Sequence, residues 1–330
     1  MTESAAHHDD GQQHHINAAV GERWRRLDPL LPEPGVVAPG CDETFRTADG
    51  NGFAVCRHLV LPAGSLDKTW AAATEYVLTP RVAGPDVGAG LDELLSKWRD
   101  HVTRFPEAAA EDTAVRLRWP TRDTTGVRAL RRHGLAPMAV IAARPAGRGI
   151  TRGPTGAPGA EGGADAITVR RAGPADLTAA AAFQMDVIRY DEQFGVGRVR
   201  PATEALVRED LIKDLNRQPS WIWLAEDKRN GQPAGLLILQ PPAQAGWVAP
   251  AAGLAPVAYL ATMFVQPGER GAGVGAALVN QGHQAADETG AALTLLHYAQ
   301  VNPLSGPFWS RMGYRPLWTQ WGADPAAVLR

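Results

Sequence analysis

One eleven-residue stretch carries the clearest chemistry in the chain: Val265-Gln266-Pro267-Gly268-Glu269-Arg270-Gly271-Ala272-Gly273-Val274-Gly275. It runs without a break into a helix-like segment from Ala276 to about Thr289. Glycines at 271, 273 and 275 let the backbone turn sharply and leave no side chain to keep an anion from the main-chain N–H groups. Such N–H groups are unpaired at a helix start and are backed by the helix dipole, so they form an anion cradle. Arg270 adds a full positive charge at its lip. A hydrogen bond to a charged partner contributes roughly 1.5 to 3 kcal/mol, so a handful of them can hold a pyrophosphate. The preceding run, Val257 to Val265, is apolar, rich in β-branched and aromatic residues, and bounded by Pro256 and Pro267, as a buried strand should be.

Two common phosphate loops do not fit this elbow. A Walker loop requires Lys-Ser/Thr after its last glycine, where Ala276-Ala277 stand. A dinucleotide fingerprint fits Gly271 to Ala276 in form, but it should open a doubly wound domain with an acid ending the next strand. Only about fifty residues remain, and Asp287-Glu288 fall inside the helix. A plain glycine turn capping a helix is the third possibility. The hexapeptide Arg270-Gly271-Ala272-Gly273-Val274-Gly275, placed after Val265-Gln266-Pro267, resembles motif A of the GCN5-related N-acetyltransferases (GNAT), the acyl-CoA-binding element of that family. Downstream, Ala291 to Tyr298 reads as a second buried strand. It is followed by Asn302, a short helix with the pair Phe308-Trp309, and Gly313-Tyr314, an order that resembles motif B of the same family. Two motifs in order and at the expected spacing outweigh the plain-turn reading.

The resemblance implies acetyl-CoA, or another acyl-CoA, as co-substrate, with no metal. The main chain of Met263, Phe264 and Val265 would hold the pantetheine arm, and Arg270, Gly271, Ala272, Gly273, Val274 and Gly275 the pyrophosphate. Asn302, Phe308 and Trp309 would complete the cofactor site from motif B. The implied activity is N-acetyl transfer to a primary amine by direct attack in a ternary complex; the alternative is a non-catalytic acyl-CoA-binding or regulatory module. Many family members place a tyrosine after the motif B phenylalanine to protonate the leaving thiolate. Trp309 stands there, and indole is not an acid. Tyr298 and Ser305 are the candidate substitutes. His297, whose ordinary pKa suits neutral pH, and the pair Asp191 and Glu192 between the first two helices of this unit, are the candidates for handling the acceptor ammonium. The acceptor itself is expected to be a small-molecule or peptide amine.

These elements sit in a chain of 330 residues with 45% hydrophobic content, enough for two ordinary domains. A net charge of −2 provides no basic field, so nucleic acid is not the expected partner. Two cysteines, Cys41 and Cys56, are too few for a disulfide framework. With no long apolar run and no leader-like start, the expected setting is the cytoplasm, away from membranes.

Residues 1–22 are polar and read as a disordered tail whose His7-His8, Asp9-Asp10 and His14-His15 lack a frame to hold metal ligands. Residues 146–166 are rich in glycine, alanine and proline and read as a flexible linker. The linker separates a unit at 23–145 from a unit at 167–330. The two echo one another: Asp123, Gly134 and Pro137 fall on Asn302, Gly313 and Pro316 after one constant shift. Taken with this repeat, the resemblance implies an α/β fold with an α+β mixed sheet, a tandem GNAT (acyl-CoA N-acyltransferase) fold that resembles the actinobacterial tandem type. Its N-terminal copy is expected to be degenerate, because Arg81 to Gly90 is too long and lacks the compact basic elbow; the alternative is an unrelated α/β domain.

Overall fold

The computed structural model describes residues 2–35, 43–148 and 166–330, with side chains from residue 11 onward. The first half contains α1 (Thr2–Leu27), β1 (Glu43–Arg46), β2 (Gly52–Val60), β3 (Thr74–Val82), α2 (Val87–Val102), β4 (Thr113–Pro120), α3 (Val127–Arg132) and β5 (Ala136–Pro145). The second contains β6 (Ile167–Arg171), α4 (Leu177–Glu192), α5 (Thr203–Leu215), β7 (Ile222–Asp227), β8 (Pro233–Gln240), β9 (Val257–Val265), α6 (Val274–Glu288), β10 (Leu293–Ala299), α7 (Ser305–Arg311) and β11 (Arg315–Ala323).

Among the described residues, eleven strands form one mixed sheet in the order β1-β2-β3-β4-β11-β5-β10-β9-β8-β7-β6. The order is nearly a palindrome. β3 runs parallel to β4, as β9 does to β10, and every other neighbouring pair is antiparallel. The halves have exchanged their last strands: β11 of the second half pairs with β4 of the first, β5 pairs with β10, and β5 and β11 pair with each other at the centre. A pseudo-twofold axis perpendicular to the sheet thus passes between β5 and β11. One consequence matters for function. Residues on one face of β4 and one face of β10 look onto the same side of the shared centre.

The alternation of the strands, period two, splits the core into two layers. Tyr76, Leu78, Val115 and Leu117 pack against α2, and Ala258, Leu260 and Leu296 against α6, all on one face. Phe53, Val55, Ile141, Leu293, Leu295 and Trp318 look to the opposite face, where α1 and the turn around Val248 cover them. On that same face α4 and α5 close over Leu236 and Ile238.

The N-terminal tail differs from expectation. Residues 11–22 belong to helix α1, and Ile16, Val20 and Trp24, four residues apart, are buried against Phe53, Val55 and Trp318. Three apolar residues on one helical stripe suffice because the surface they cover is itself broad and apolar. His14 and His15 are exposed on its outer side. The side chains of His7, His8, Asp9 and Asp10, the linker at 149–165 and Cys41 lie outside the described residues; Cys56 is buried.

The Arg81–Gly90 segment also differs. β3 extends to Val82 and α2 begins at Val87, so the connection is short. Gly88 and Gly90 lie inside the helix, and Asp86 caps it: the carboxylate accepts the Ala89 N–H at 2.9 Å. Length is not what distinguishes this turn from the elbow at 266–273; its self-cap is.

Candidate active site

β9 and β10 pair in parallel only from Val257 with Leu293 to Leu260 with Leu296. Beyond that point both strands continue without pairing to each other, and a wedge opens between Ala261–Val265 and His297–Ala299. Along β9 the main-chain groups alternate sides. The Gln266 N–H bonds Ala234 O on the β8 side at 2.9 Å, so those of Met263 and Val265 face the wedge, and those of Phe264 face β8. The Phe264 ring stacks on Phe183 of α4 with centroids 5.1 Å apart, which fixes α4 over the strand.

At the end of β9 the elbow leads into α6. Gly271 and Gly273 have φ of 85° and 87°, a region that only glycine enters cheaply. A Cβ built on either meets nothing within 4 Å, so the space above both is open. Gly273 is the N-cap of α6 and supplies no capping side chain, and the Ala277 N–H is the first to bond back, to Gly273 O at 3.0 Å. The N–H groups of Val274, Gly275 and Ala276 therefore have no protein acceptor among the described residues. Arg270 is exposed beside them; its Nε–H donates to Val265 O at 3.2 Å and its guanidinium lies 5.9 Å from the Tyr190 ring. Gly275 lies against Phe308, where a Cβ would come within 3.3 Å of the ring. Open space, free donors, a cation and a pleated edge form a continuous groove of the shape and charge that a pyrophosphate with an extended amide arm requires.

The groove continues through the wedge into a cleft of about 1550 Å³ that reaches the other face of the sheet and is lined by both halves. There Tyr259 Oη and His297 Nδ1 are hydrogen-bonded at 3.1 Å. Trp247 stacks on the imidazole at 6.1 Å and meets Tyr259 edge-on at 4.8 Å, while its indole N–H is held by Gln240 at 2.8 Å. Asp191, at the C-terminal end of α4, lines the cleft with no side-chain partner among the described residues, and burial pushes its carboxyl up to about 6. The loop after α4 is held by two ion pairs, Arg198 to Asp324 just past β11 at 2.6 Å and Arg200 to Asp112 of the first half at 2.7 Å.

His297 does not have the near-neutral pKa its type suggests. Burial, and secondarily the Arg118 charge, lower it to about 3, so the ring is neutral at physiological pH and a weak base. Asp191 is the better matched group. Glu192 does not join it: its side chain is exposed and accepts the Val199 N–H at 2.8 Å, a loop-shaping contact. Tyr298 lines the cleft on the α7 side, burial raises its pKa, and its hydroxyl has no partner among the described residues. Ser305, the first residue of α7, also lines the cleft. Asn302 is 7% exposed and its Oδ1 accepts the Leu304 N–H at 3.0 Å, so it shapes the turn into α7. Trp309 lines the cleft and is largely buried, edge-on against Phe308 and Tyr314. Ala272 lies at the groove between its two glycines, half-buried against the α6 core.

Several site residues carry no motif. Arg118, Tyr259, Trp247 and Gln320 all line the cleft, and two of them arrive through the strand exchange. One signal was present: Arg116 and Arg118 charge one face of an otherwise apolar strand, which a purely structural strand between two others does not tolerate.

Residues 189–314 match the Acetyltransferase (GNAT) family. No curated protein matches the chain. A solved GCN5-related N-acetyltransferase from Sphaerobacter thermophilus is similar over 94% of this chain and 90% of its own, with a TM-score of 0.56 at 15% identity. That likeness shows a shared fold. A tandem GNAT protein from the clavulanic acid biosynthesis pathway aligns over 96% of this chain and 94% of its own, at 15% identity and a TM-score of 0.43. An acetyltransferase of the GNAT family from Colwellia psychrerythraea aligns over 92% and 94%, at 11% identity and a TM-score of 0.46.

Proposed function

We propose that the protein, whose residues 189–314 match the acetyltransferase (GNAT) family, is an acetyl-CoA-dependent N-acetyltransferase acting on a primary amine in a ternary complex. The observation that carries the reading is the uncapped start of α6, open above Gly271 and Gly273, standing at the mouth of the β9–β10 wedge. The pyrophosphate is held by the N–H groups of Val274 to Ala276 and by Arg270, and the pantetheine by the wedge-facing groups of Met263 and Val265. The acetyl group then lies within the wedge, with the Val265 N–H as donor to the thioester oxygen. A fixed donor of this kind is worth roughly a hundredfold to a thousandfold in rate.

Asp191, with its carboxyl raised to about 6, takes a proton from the acceptor ammonium near neutral pH. The freed nitrogen attacks the thioester carbonyl carbon, a C–N bond forms, and the C–S bond breaks. Sulfur leaves as a thiolate that receives the Tyr298 hydroxyl proton; the second nitrogen proton restores the phenol, and one proton passes to solvent from Asp191. Tyr298 stands in for the motif B tyrosine that Trp309 replaces, since its unpaired hydroxyl lines the cleft and burial keeps it protonated. His297, neutral and fixed by Tyr259 and Trp247, shapes the acceptor side.

The experiment is turnover of the purified chain with acetyl-CoA and a panel of amines, following free thiol and identifying acetylated products by mass. Amine-dependent thiol release supports an enzyme. Acetyl-CoA binding without thiol release for any amine supports the binding-module reading, which the buried Trp309 favours.

A further inference from the structure

On the reading of this cleft as an N-acetyltransferase site, we propose that its acceptor is a small amino-carboxylate, an amino acid, whose carboxylate seats on Arg118 while its amine faces Asp191 and the wedge. Arg118 lies on β4, in the first half, directly across from Gln320 of β11. Its side chain lines the cleft and has no hydrogen-bond or ion-pair partner among the described residues. The contrast with its neighbour is instructive. Arg116, two residues away on the same face, is paired with Asp324 and lies 3.7 Å from Glu75.

The same constant shift that maps Asp123 onto Asn302 maps Arg118 onto His297. The strand exchange thereby turns two corresponding positions toward one cavity, and the degenerate half contributes a cation to the working half's acceptor side. The charge lies near enough to Tyr259 and His297 to affect the titration of both, yet both are neutral and neither compensates it. Arg118 is exposed to the cleft, the surrounding protein lowers its pKa, and no carboxylate is paired with it among the described residues, so the guanidinium is open to a ligand. Asp191 is its counterpart: a half-buried carboxylate in the same cleft, with no side-chain partner and no bridge to Arg118 among the described residues. Two opposite charges held apart across a cavity complement a ligand with the reverse charges held apart. A single guanidinium fork matches the two oxygens of a carboxylate. A dianionic phosphate would leave one charge unmatched beside Asp191.

The test uses the full chain, acetyl-CoA and the twenty L-amino acids, each paired with its carboxamide, assayed by thiol release in the wild type and in Arg118→Gln. Acetyl-CoA binding is measured by calorimetry in both proteins as a check on folding. The expected result is at least one free amino acid turned over with kcat/KM ten or more times that of its carboxamide, a ratio that collapses toward one in Arg118→Gln while acetyl-CoA affinity is kept. Equal use of acid and carboxamide, a preference that survives in Arg118→Gln, or bound acetyl-CoA with no free amino acid turned over would overturn the proposal. Failure of the wild type to bind acetyl-CoA would instead overturn the acetyltransferase reading beneath it.

Discussion

The two halves of the sheet end their inner parallel strand in the same way and then treat the following helix oppositely. β3 and β9 are both nine residues long, and each pairs with its parallel partner only over its first half. In the second half, the α6 start is left to glycine, open above Gly271 and Gly273. In the first half, Asp86 caps α2 with its own carboxylate, so the anion that the helix end attracts is already built in. The wedge mouth differs likewise. Arg23 of α1 donates to Val82 O at 2.6 Å, lies 3.3 Å from Asp123 and stacks over Trp119, whose indole N–H is held by Asp123 O at 2.9 Å. The corresponding second-half positions are Val265, Asn302 and Tyr298, and there the Tyr298 hydroxyl has no partner among the described residues. At this wedge mouth the first-half groups meet partners within the fold, whereas on the proposed reading the second-half groups are left for a ligand.

The sharpest way to break this contrast is to give the working half the scaffold's cap. Gly273→Asp places a carboxylate at the N-cap and a side chain at a φ of 87°, and should weaken acetyl-CoA binding at least a hundredfold by calorimetry. Undiminished affinity would mean that the elbow does not hold the pyrophosphate. Next in size, Tyr298→Phe should lower kcat about a hundredfold while leaving acetyl-CoA affinity unchanged, read from steady-state kinetics beside calorimetry. An unaltered kcat would remove Tyr298 from the proton path.

Asp191 sets a pH dependence with a definite sign. Its folded-state pKa, about 6, stands above the ordinary carboxylate value of 3.8, so its contribution favours the fold most fully below about 4 and is lost as pH rises through 6. Asp191→Asn should therefore gain stability over the wild type above pH 6, by up to about 3 kcal/mol at 1.36 kcal/mol per unit. Urea unfolding at pH 5 and pH 8 measures that widening gap, and the variant should also lose the rise in kcat/KM through pH 6. A constant gap between the two pH values would mean that the carboxyl is solvated. Smallest, Asp86→Ala should cost about 1 kcal/mol of stability, as the loss of an N-cap does, with acetyl-CoA binding untouched. Any change in binding would show that the first half takes part in holding the cofactor.

The elbow at 265–275 was legible because its form is local. Glycine spacing, one cation and the strand and helix on either side are all contiguous, and they folded as their sequence reads. The acceptor side was only partly legible. Asp191 was expected between two helices and lies instead in the last turn of α4, and its raised pKa, like the lowered one of His297, depends on burial by elements far along the chain. Arg116 and Arg118 stood out as charges on an apolar strand, but that Arg118 reaches the second half's cleft follows only from the exchange of β5 and β11, which no local pattern announces. The α1 stripe of Ile16, Val20 and Trp24 was readable by spacing and hidden by the polar residues around it. Its partner surface, made by β2, β5 and β11, exists only after the halves interleave.

The measurement that tests the central contrast most directly is the stoichiometry of acetyl-CoA binding to the intact chain by calorimetry. One site per chain, lost in Gly273→Asp and kept in Asp86→Ala, is the predicted result. Two sites, or one site that survives Gly273→Asp, would contradict the assignment of the α6 elbow as the open cradle and α2 as the closed one.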